Sequence, residues 1–303
     1  MGCWPIAGMT TPGVIEEQSI ATIRACFELG INHLDTAYMY GANGESERLI
    51  AEALGSRRDE MIIATKGGFH WGPDGSQTHD ASPATLRQEC EESLRRLNTD
   101  RVELYYLHAP DPKVPVAESA GELSRLKDEG KALAIGASNL SLEQIEQFAA
   151  ECPIAAFQPP YNMLQRGIER DTLPWCREHG VSVLVYWPLM KGLFAGKIHP
   201  GALAERDNRR KYPQYQGEEF QKNMELVERL RSIADEAGHS VAELAINWIL
   251  RQPGITSAVC GARRPEQIRE NAGGSDWELS AAQLAAIEQA LRERGPAKVR
   301  SAV

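Results

Sequence analysis

Hydrophobic positions along the chain fall into short apolar runs, and longer amphipathic stretches separate these runs. This alternation predicts strands that alternate with helices. Seven apolar runs are typical of strands, at 31–35, 61–65, 102–107, 132–136, 155–158, 181–186 and 256–260, and we expect an eighth strand near Gly2-Cys3-Trp4. The helical patterns cover 17–29, 46–54, 83–97, 116–129, 142–150, 168–179, 240–251 and 265–272.

Eight strand–helix units, with strands that are apolar on both faces, favour a closed (β/α)₈ TIM barrel of the α/β class over an open sheet. No stretch reads as a linker, so we expect a single domain over residues 1–303. Two segments exceed the needs of a barrel. The first is a polar stretch at 191–220 with an extra helix at 221–237, and the second is a terminal helix at 280–294.

Composition and charge restrict the classes of partner. The chain has 303 residues with 33 Lys and Arg against 42 Asp and Glu, a net charge of −9, and it has no basic block of the kind that follows nucleic-acid phosphates. The six cysteines form no C-x-x-C pair, which is typical of reduced thiols in an intracellular protein. No apolar run approaches the roughly 18 residues of a membrane span, and we therefore expect a cytoplasmic protein without membrane or nucleic-acid partners.

Ionisable side chains stand at the ends of three consecutive predicted strands. Asp35, Lys66 and His108 occupy these positions, and Tyr40 follows closely after Asp35. Each has an ordinary explanation when taken alone: a turn cap, a solvated strand end, or a hydrogen-bonded structural histidine. Because the carboxyl ends of barrel strands converge on one face, where barrel enzymes place their chemistry, the four side chains together predict an active site.

The chemistry of these side chains suggests proton transfer to an oxygen atom. A buried Asp35 would neutralise Lys66, and an ammonium that faces a phenol favours the phenolate, so we expect the pKa of Tyr40 to lie below its usual value of about 10. Tyr40 would then protonate an oxygen that His108 also binds. No side chain supplies electrons, so reduction of a carbonyl by a bound hydride donor fits the set, with no metal required.

Several motifs resemble those of the aldo-keto reductases, in the same order along nearly the whole chain. They are the pattern G-I-N-H-L-D-T-A-x-x-Y-G at 30–41 with Ser46-Glu47 after it, A-T-K-G at 64–67, S-L-R-R-L at 93–97, and Gly130-Lys131 leading to I-G-A-S-N at 135–139. The resemblance implies a (β/α)₈ barrel that reduces aldehydes or ketones with NADPH, less often with NADH. It also implies a catalytic tetrad of Asp35, Tyr40, Lys66 and His108, with Tyr40 as the proton donor.

The same resemblance assigns a cofactor site and a substrate pocket. Ser138, Asn139 and Gln158 would hold the nicotinamide carboxamide, and Tyr186 would stack on the ring. The pyrophosphate would lie under a loop that includes Pro188, Leu189, Gly192 and Leu193, and the adenosine 2′-phosphate would lie near Gly261, Arg263, Arg264, Gln267 and Asn271. Trp4, His70 and Trp71 would line the substrate pocket, the last two from a predicted loop at 67–83.

Guanidinium groups match phosphate oxygens with paired donors, so Arg263 or Arg264 favours NADP(H) over NAD(H). A solvated basic helix start is the alternative interpretation of these two arginines. Many relatives have a lysine in place of Gly261 and an arginine in place of Gln267, which weakens the expected selectivity.

Two other functions fit the same residues less well. Some barrels of the family are regulatory subunits that associate with channels and use the bound nucleotide as a redox signal, although the complete tetrad argues against a dead enzyme. A lyase or isomerase with a Schiff base on Lys66 is the second, and Asp35 opposes it by keeping the amine protonated. Basic residues in the 191–220 stretch, Arg206, Arg209, Arg210 and Lys211, either favour a polar carbonyl substrate or are merely solvated. The substrate is a small carbonyl compound, and the oligomeric state stays open.

Overall fold

Seven parallel strands form one sheet, and they follow one another in the sheet in the order of the chain. The computed structural model describes residues 1–8, 13–72, 74–198, 203 and 207–299. Its strands are β1 His33–Asp35, β2 Ile62–Gly67, β3 Phe69–Trp71, β4 Gln77–His79, β5 Val102–Leu107, β6 Ala132–Ser138, β7 Ala156–Gln158, β8 Ser182–Tyr186 and β9 Ile255–Val259. The sheet contains all of these except β3 and β4, and its seven members lie where the apolar runs predicted strands.

The first residues of the chain close the sheet into a barrel. Gly2 makes parallel bridges to Asp35 of β1 and to Gly261 after β9. Its N–H donates to the carbonyl of Cys260 at 2.8 Å, and the N–H of Cys3 donates to the carbonyl of Asp35 at 2.8 Å. The eighth position of the barrel is therefore filled where the sequence predicted it, by an isolated bridge in place of a full strand, because a 3₁₀ turn at Trp4–Ala7 begins directly afterwards.

Helices surround the sheet at the predicted places. They are α1 Glu16–Glu28, α2 Glu45–Leu54, α3 Pro83–Leu97, α4 Val116–Asp128, α5 Leu142–Glu151, α6 Thr172–Glu178, α7 Gly217–Ala237, α8 Val241–Leu250, α9 Pro265–Gly273 and α10 Ala281–Arg294. Further 3₁₀ turns lie at Gly55–Glu60, Gly167–Glu169, Met190–Ala195, Asn208–Lys211 and Pro213–Tyr215. The predicted helix at 168–179 is in fact a 3₁₀ turn followed by α6, because the Asp171 carboxylate accepts the Thr172 N–H at 2.6 Å and starts a new helix there. No helix in the described part of the chain is both long and apolar enough to cross a membrane.

The barrel interior is small and is filled by side chains. Its buried cluster consists of Ala64, Leu104, Tyr106, Ala156 and Leu184, while a much larger cluster fills the space between the sheet and the helices. Gly136 makes room for the Tyr106 ring, because a Cβ at Gly136 would lie 2.3 Å from Cε1 of Tyr106. Two buried faces explain why the strand sequences are apolar without alternation.

An antiparallel hairpin of β3 and β4 occupies part of the predicted loop at 67–83. The hairpin pairs Phe69 with His79 and Trp71 with Gln77, and it is not hydrogen-bonded into the barrel sheet. It follows β2 directly, so it lies at the carboxyl end of the barrel strands. Two strands of three residues each, with polar β4, are too short to produce a recognisable pattern.

Candidate active site

A buried ion pair lies at the carboxyl ends of β1 and β2. The Lys66 ammonium donates to Oδ1 of Asp35 at 2.6 Å and to the carbonyl of Thr36 at 2.7 Å. The side-chain amide of Gln158, at the end of β7, donates to Oδ2 of Asp35 at 2.7 Å. Asp35 and Lys66 are only 2% and 1% exposed, so both charges depend on these partners and not on water.

Tyr40 lies beside this pair, in the segment between β1 and α2. Lys66 Nζ is 5.3 Å from the centroid of the Tyr40 ring. The ring meets Trp4 edge-on with 4.9 Å between centroids, and its centroid is 6.0 Å from that of His108. The structure therefore brings the four predicted tetrad residues together at one end of the barrel.

The expected lowering of the Tyr40 pKa is wrong. Burial raises the pKa of Tyr40 well above 10, and the negative charge of Asp35 raises it further. The reasoning from sequence failed because Asp35 already neutralises Lys66, so the phenol faces an ion pair and not a free cation. Tyr40 is therefore a neutral phenol at neutral pH, a form that can give a proton.

His108 is uncharged in this environment. Burial lowers the pKa of His108 well below 6.5, and the charges of Lys66 and His79 add to this effect. Within the described residues, Nδ1 of His108 is buried and has no hydrogen-bond partner. A neutral imidazole with an unpaired nitrogen can serve a ligand oxygen as a hydrogen-bond donor when the proton is on that nitrogen.

A chain of hydrogen bonds joins His108 to the predicted nicotinamide residues. Asn139 donates to the carbonyl of His108 at 2.9 Å and to Oγ of Ser138 at 3.0 Å. The Tyr186 hydroxyl donates to Oδ1 of Asn139 at 2.6 Å, and Ser138 donates to the carbonyl of Gln158 at 2.7 Å. These residues end β6, β7 and β8 or follow directly, so they face the same mouth of the barrel as the tetrad.

The segment after β8 turns sharply at the predicted pyrophosphate loop, which includes Pro188, Leu189, Gly192 and Leu193. Positive φ angles occur at Trp187, Met190 and Lys191, at 60°, 45° and 54°, and Gly192 has a φ of 97°. Arg209 lies over this loop, since its Nη1 is 3.4 Å from the position of a Cβ on Gly192. Arg209 also forms an ion pair with Asp207 at 2.7 Å. Asp207 therefore neutralises Arg209 in part, and the preference of this basic cluster for a polar substrate stays a prediction. Arg206, which belongs to the same cluster, lies outside the described residues.

The predicted adenosine residues lie at the turn from β9 into α9. Arg263 and Arg264 are exposed there. The Arg263 N–H donates to Oε1 of Gln267 at 2.9 Å, and the Asn271 amide donates to the carbonyl of Gly261 at 3.3 Å. A Cβ on Gly261 would lie 2.6 Å from Cγ of Pro5, so a longer side chain at this position requires Pro5 to move.

The hairpin places aromatic rings beside the tetrad. The Trp71 indole donates to the carbonyl of Met39 at 2.7 Å, next to Tyr40. Phe69 is two residues before Trp71 and meets His108 edge-on with 5.5 Å between centroids. The sequence reasoning missed Phe69, although strand alternation from Trp71 would have placed it on the same face.

His70, a predicted wall of the substrate pocket, contacts α3, and its part in the pocket stays a prediction. Its Nδ1 lies 2.8 Å from Oε1 of Glu89, a buried residue of α3. Successive side chains of a strand point to opposite faces, so a residue between Phe69 and Trp71 is directed towards the helix layer.

The comparisons with known proteins agree with this arrangement. A model of the aldo/keto reductase family matches residues 1–292. The chain belongs to the aldo/keto reductase family. It is 39% identical to the aldo-keto reductase YhdN of Bacillus subtilis (strain 168) over 284 residues, which cover 92% of this chain and 85% of the relative.

Two further relatives are named for different activities, one for a reduction and one for the dehydrogenation of an alcohol. The NADH-specific methylglyoxal reductase of Escherichia coli (strain K12) is 33% identical over 299 residues, with 92% of this chain and 90% of the relative covered. The solved structure of a glycerol dehydrogenase from Gluconobacter oxydans is 34% identical, with a TM-score of 0.91 over 100% of this chain and 94% of that one. This aldo-keto reductase is therefore a (β/α)₈ barrel of an oxidoreductase family that acts on small carbonyl compounds with nicotinamide cofactors.

Proposed function

We propose that this aldo-keto reductase reduces an aldehyde or ketone to an alcohol with Tyr40 as the proton donor. The observation that supports this most directly is the half-buried, neutral Tyr40 phenol beside the Lys66–Asp35 pair and His108. A general acid must hold its proton until the acceptor oxygen gains negative charge, and burial keeps the Tyr40 proton in place until then.

The bound nicotinamide would supply a hydride to the carbonyl carbon. As the carbonyl oxygen becomes negative, the Tyr40 O–H bond breaks and the proton passes to that oxygen. Lys66 stabilises the phenolate that remains, because its ammonium lies 5.3 Å from the ring. Neutral His108 donates a hydrogen bond to the same substrate oxygen and fixes its approach.

The residues at the mouth fit a nicotinamide. Its carboxamide needs both donors and acceptors, and Ser138, Asn139 and Gln158 offer hydroxyl and amide groups at neighbouring strand ends. Tyr186 is partly exposed and presents an aromatic ring at the end of β8. These residues would bind and orient the ring of the cofactor.

We also propose that NADP(H) is favoured over NAD(H). Arg263 and Arg264 are exposed at the start of α9, where a 2′-phosphate gains both guanidinium contacts and the helix N-terminus. Gln267 accepts a hydrogen bond from the Arg263 N–H, so it is already paired within the protein. We therefore expect the preference for NADP(H) to be modest. We expect Arg264→Ala to lower kcat/KM for NADPH roughly tenfold while NADH changes less than about twofold. Equal losses for both nucleotides in steady-state assays would contradict this preference.

The test of the proton donor is Tyr40→Phe, with Tyr38→Phe as the matched control. Tyr38 belongs to the same segment, but its hydroxyl donates to Glu92 at 2.7 Å, away from the tetrad. We expect Tyr40→Phe to bind NADPH normally and to lose roughly 10²–10⁴ in kcat, the usual contribution of a general acid. Parental aldehyde reduction by Tyr40→Phe, followed as NADPH oxidation, would refute the assignment.

A further inference from the structure

One buried carboxylate outside the tetrad is bonded to both neighbours of Phe69. Oε2 of Glu89, on α3, accepts the N–H of Gly68 at 2.6 Å. Oε1 of the same carboxylate contacts Nδ1 of His70 at 2.8 Å. Glu89 is 3% exposed, so the two contacts are shielded from water and Phe69 is held from both sides.

We propose that Glu89 is a positioning residue for the carbonyl pocket: through Gly68 and His70 it fixes Phe69 against His108. This inference rests on the proposed carbonyl reductase function. Phe69 lies edge-on to His108 at 5.5 Å and packs on His79 with 4.1 Å between centroids. A carbonyl that approaches His108 therefore passes this ring, and the placement of Phe69 decides which carbonyl compounds orient productively.

The hairpin needs such a contact because it lies outside the barrel sheet. Among the strands that the structure describes, β3 pairs with β4 alone, and no backbone ladder joins it to β2 or β5. Side chains connect it to the barrel instead: Glu89 holds its beginning, and Trp71 bonds to the carbonyl of Met39 at its far end. Gly68 has a φ of 89°, a left-handed conformation from which the chain leaves β2 and turns into the hairpin.

The burial of Glu89 is energetically costly. Burial raises the pKa of Glu89 to about 7, although the Gly68 N–H and His70 both favour the carboxylate. Carboxyl groups with raised pKa values beside a cleft are enriched at functional sites.

Two substitutions at Glu89 separate positioning from packing. Glu89→Met keeps the volume but removes both acceptors. Glu89→Gln keeps one oxygen for the Gly68 N–H and offers an amide to Nδ1 of His70. The matched control is Glu122→Met, which removes a similarly buried carboxylate on α4. Glu122 pairs with Arg125 at 2.6 Å and with Arg87 of α3 at 2.7 Å, and neither arginine belongs to the hairpin.

We expect Glu89→Met to lower kcat/KM for benzaldehyde at least roughly tenfold, because a displacement of about 1 Å at a pocket wall has effects of this size or larger. The Kd for NADPH, measured by quenching of protein fluorescence, should stay within about twofold, and Glu89→Gln should recover most of the loss. Unchanged kinetics in Glu89→Met, or an equal loss in Glu122→Met, would overturn the proposal.

A double-mutant cycle tests whether Glu89 acts through Phe69. In a Phe69→Leu background the effect of Glu89→Met should shrink to less than about threefold, since the positioned ring is gone. Full additivity would overturn the proposal. If Glu89→Met does not fold, His70→Leu removes one of the two contacts, and a folded His70→Leu protein with parental kinetics would overturn it as well.

The two proposals fail in different ways. An active Tyr40→Phe protein refutes the carbonyl reductase mechanism whatever Glu89 does. An inactive Tyr40→Phe protein, together with a Glu89→Met protein of parental kcat/KM, leaves the reductase mechanism standing and removes only the role of Glu89.

Discussion

Replacing Asp35 by Asn removes one charge from a buried ion pair and leaves its geometry nearly intact. Lys66 would still reach an oxygen of the new amide, as it now reaches Oδ1 of Asp35 at 2.6 Å, and it would keep its bond to the carbonyl of Thr36. The amide nitrogen would face the Gln158 amide, which now donates to Oδ2 at 2.7 Å. Two donors would then meet unless Gln158 turns its amide group.

The size of the effect follows from burial. Lys66 is 1% exposed, so its ammonium would lose its counter-ion where water cannot replace it. Leaving one charge of a buried pair without its partner costs about 3–5 kcal/mol of unfolding free energy. In a chain of this size, that corresponds to a fall in Tm of roughly 5–8 °C.

Removing both charges should cost much less than the sum of the two single changes. Asp35→Asn, Lys66→Met and the double variant are compared by urea unfolding, with folding checked by circular dichroism. We expect each single variant to lose about 3–5 kcal/mol and the pair to show a coupling of at least about 2 kcal/mol. Additive losses would mean that the two charges do not depend on one another, and the electrostatic account of the site would be wrong.

Two further predictions concern the barrel interior. Gly136→Ala should destabilise the fold by about 1–3 kcal/mol or more in chemical unfolding, because the new Cβ would overlap the Tyr106 ring. The control is Gly121→Ala, whose Cβ would lie 3.9 Å from the guanidinium of Arg125, and this variant should be neutral or stabilising. Burial lowers the pKa of His33 from 6.5 to about 4, so the unfolded chain takes up this proton first as the pH falls. The stability that neutral His33 provides is therefore present above pH 6.5 and is lost towards pH 4, by up to about 3 kcal/mol, and a His33→Leu protein that loses stability over this window as steeply as the parent would contradict this.

The positions of strands and helices were predictable because a strand buried on both faces must be a short apolar run, and such runs alternate along the chain with amphipathic helices. Val102–Leu107 and Pro83–Leu97 agree with the predicted bounds residue for residue. Other elements shift by a few residues at their ends, where backbone geometry and capping groups decide the bounds. Ser240 is one such capping group: it forms a reciprocal capping box with Glu243, and α8 begins at the next residue.

The hairpin and the ionisation of the tetrad were not predictable in the same way. Phe69 and His70 are adjacent in sequence, yet one faces His108 and the other faces Glu89, and only a recognised strand would have separated them. The Tyr40 pKa depends on how completely Asp35 neutralises Lys66 and on how little water reaches the phenol. Both depend on how the side chains pack in the folded protein, and the spacing of residues along the sequence does not determine this packing.

In the proposed mechanism, the raised pKa of Tyr40 favours the protonated phenol that carbonyl reduction requires. A phenol that keeps its proton is ready for carbonyl reduction, whereas alcohol oxidation begins with removal of a proton by a phenolate, which burial and Asp35 oppose. Lys66 does not deprotonate Tyr40 in the resting site, because its ammonium is already paired with Asp35 and hydrogen-bonded to the Thr36 carbonyl. In the proposed mechanism its ammonium acts only once the proton has left, when negative charge appears on the phenol whose ring centroid lies 5.3 Å from Nζ. On this proposal the pair contributes more to the transition state than to the resting phenol, and this difference is the part of an interaction that accelerates a reaction.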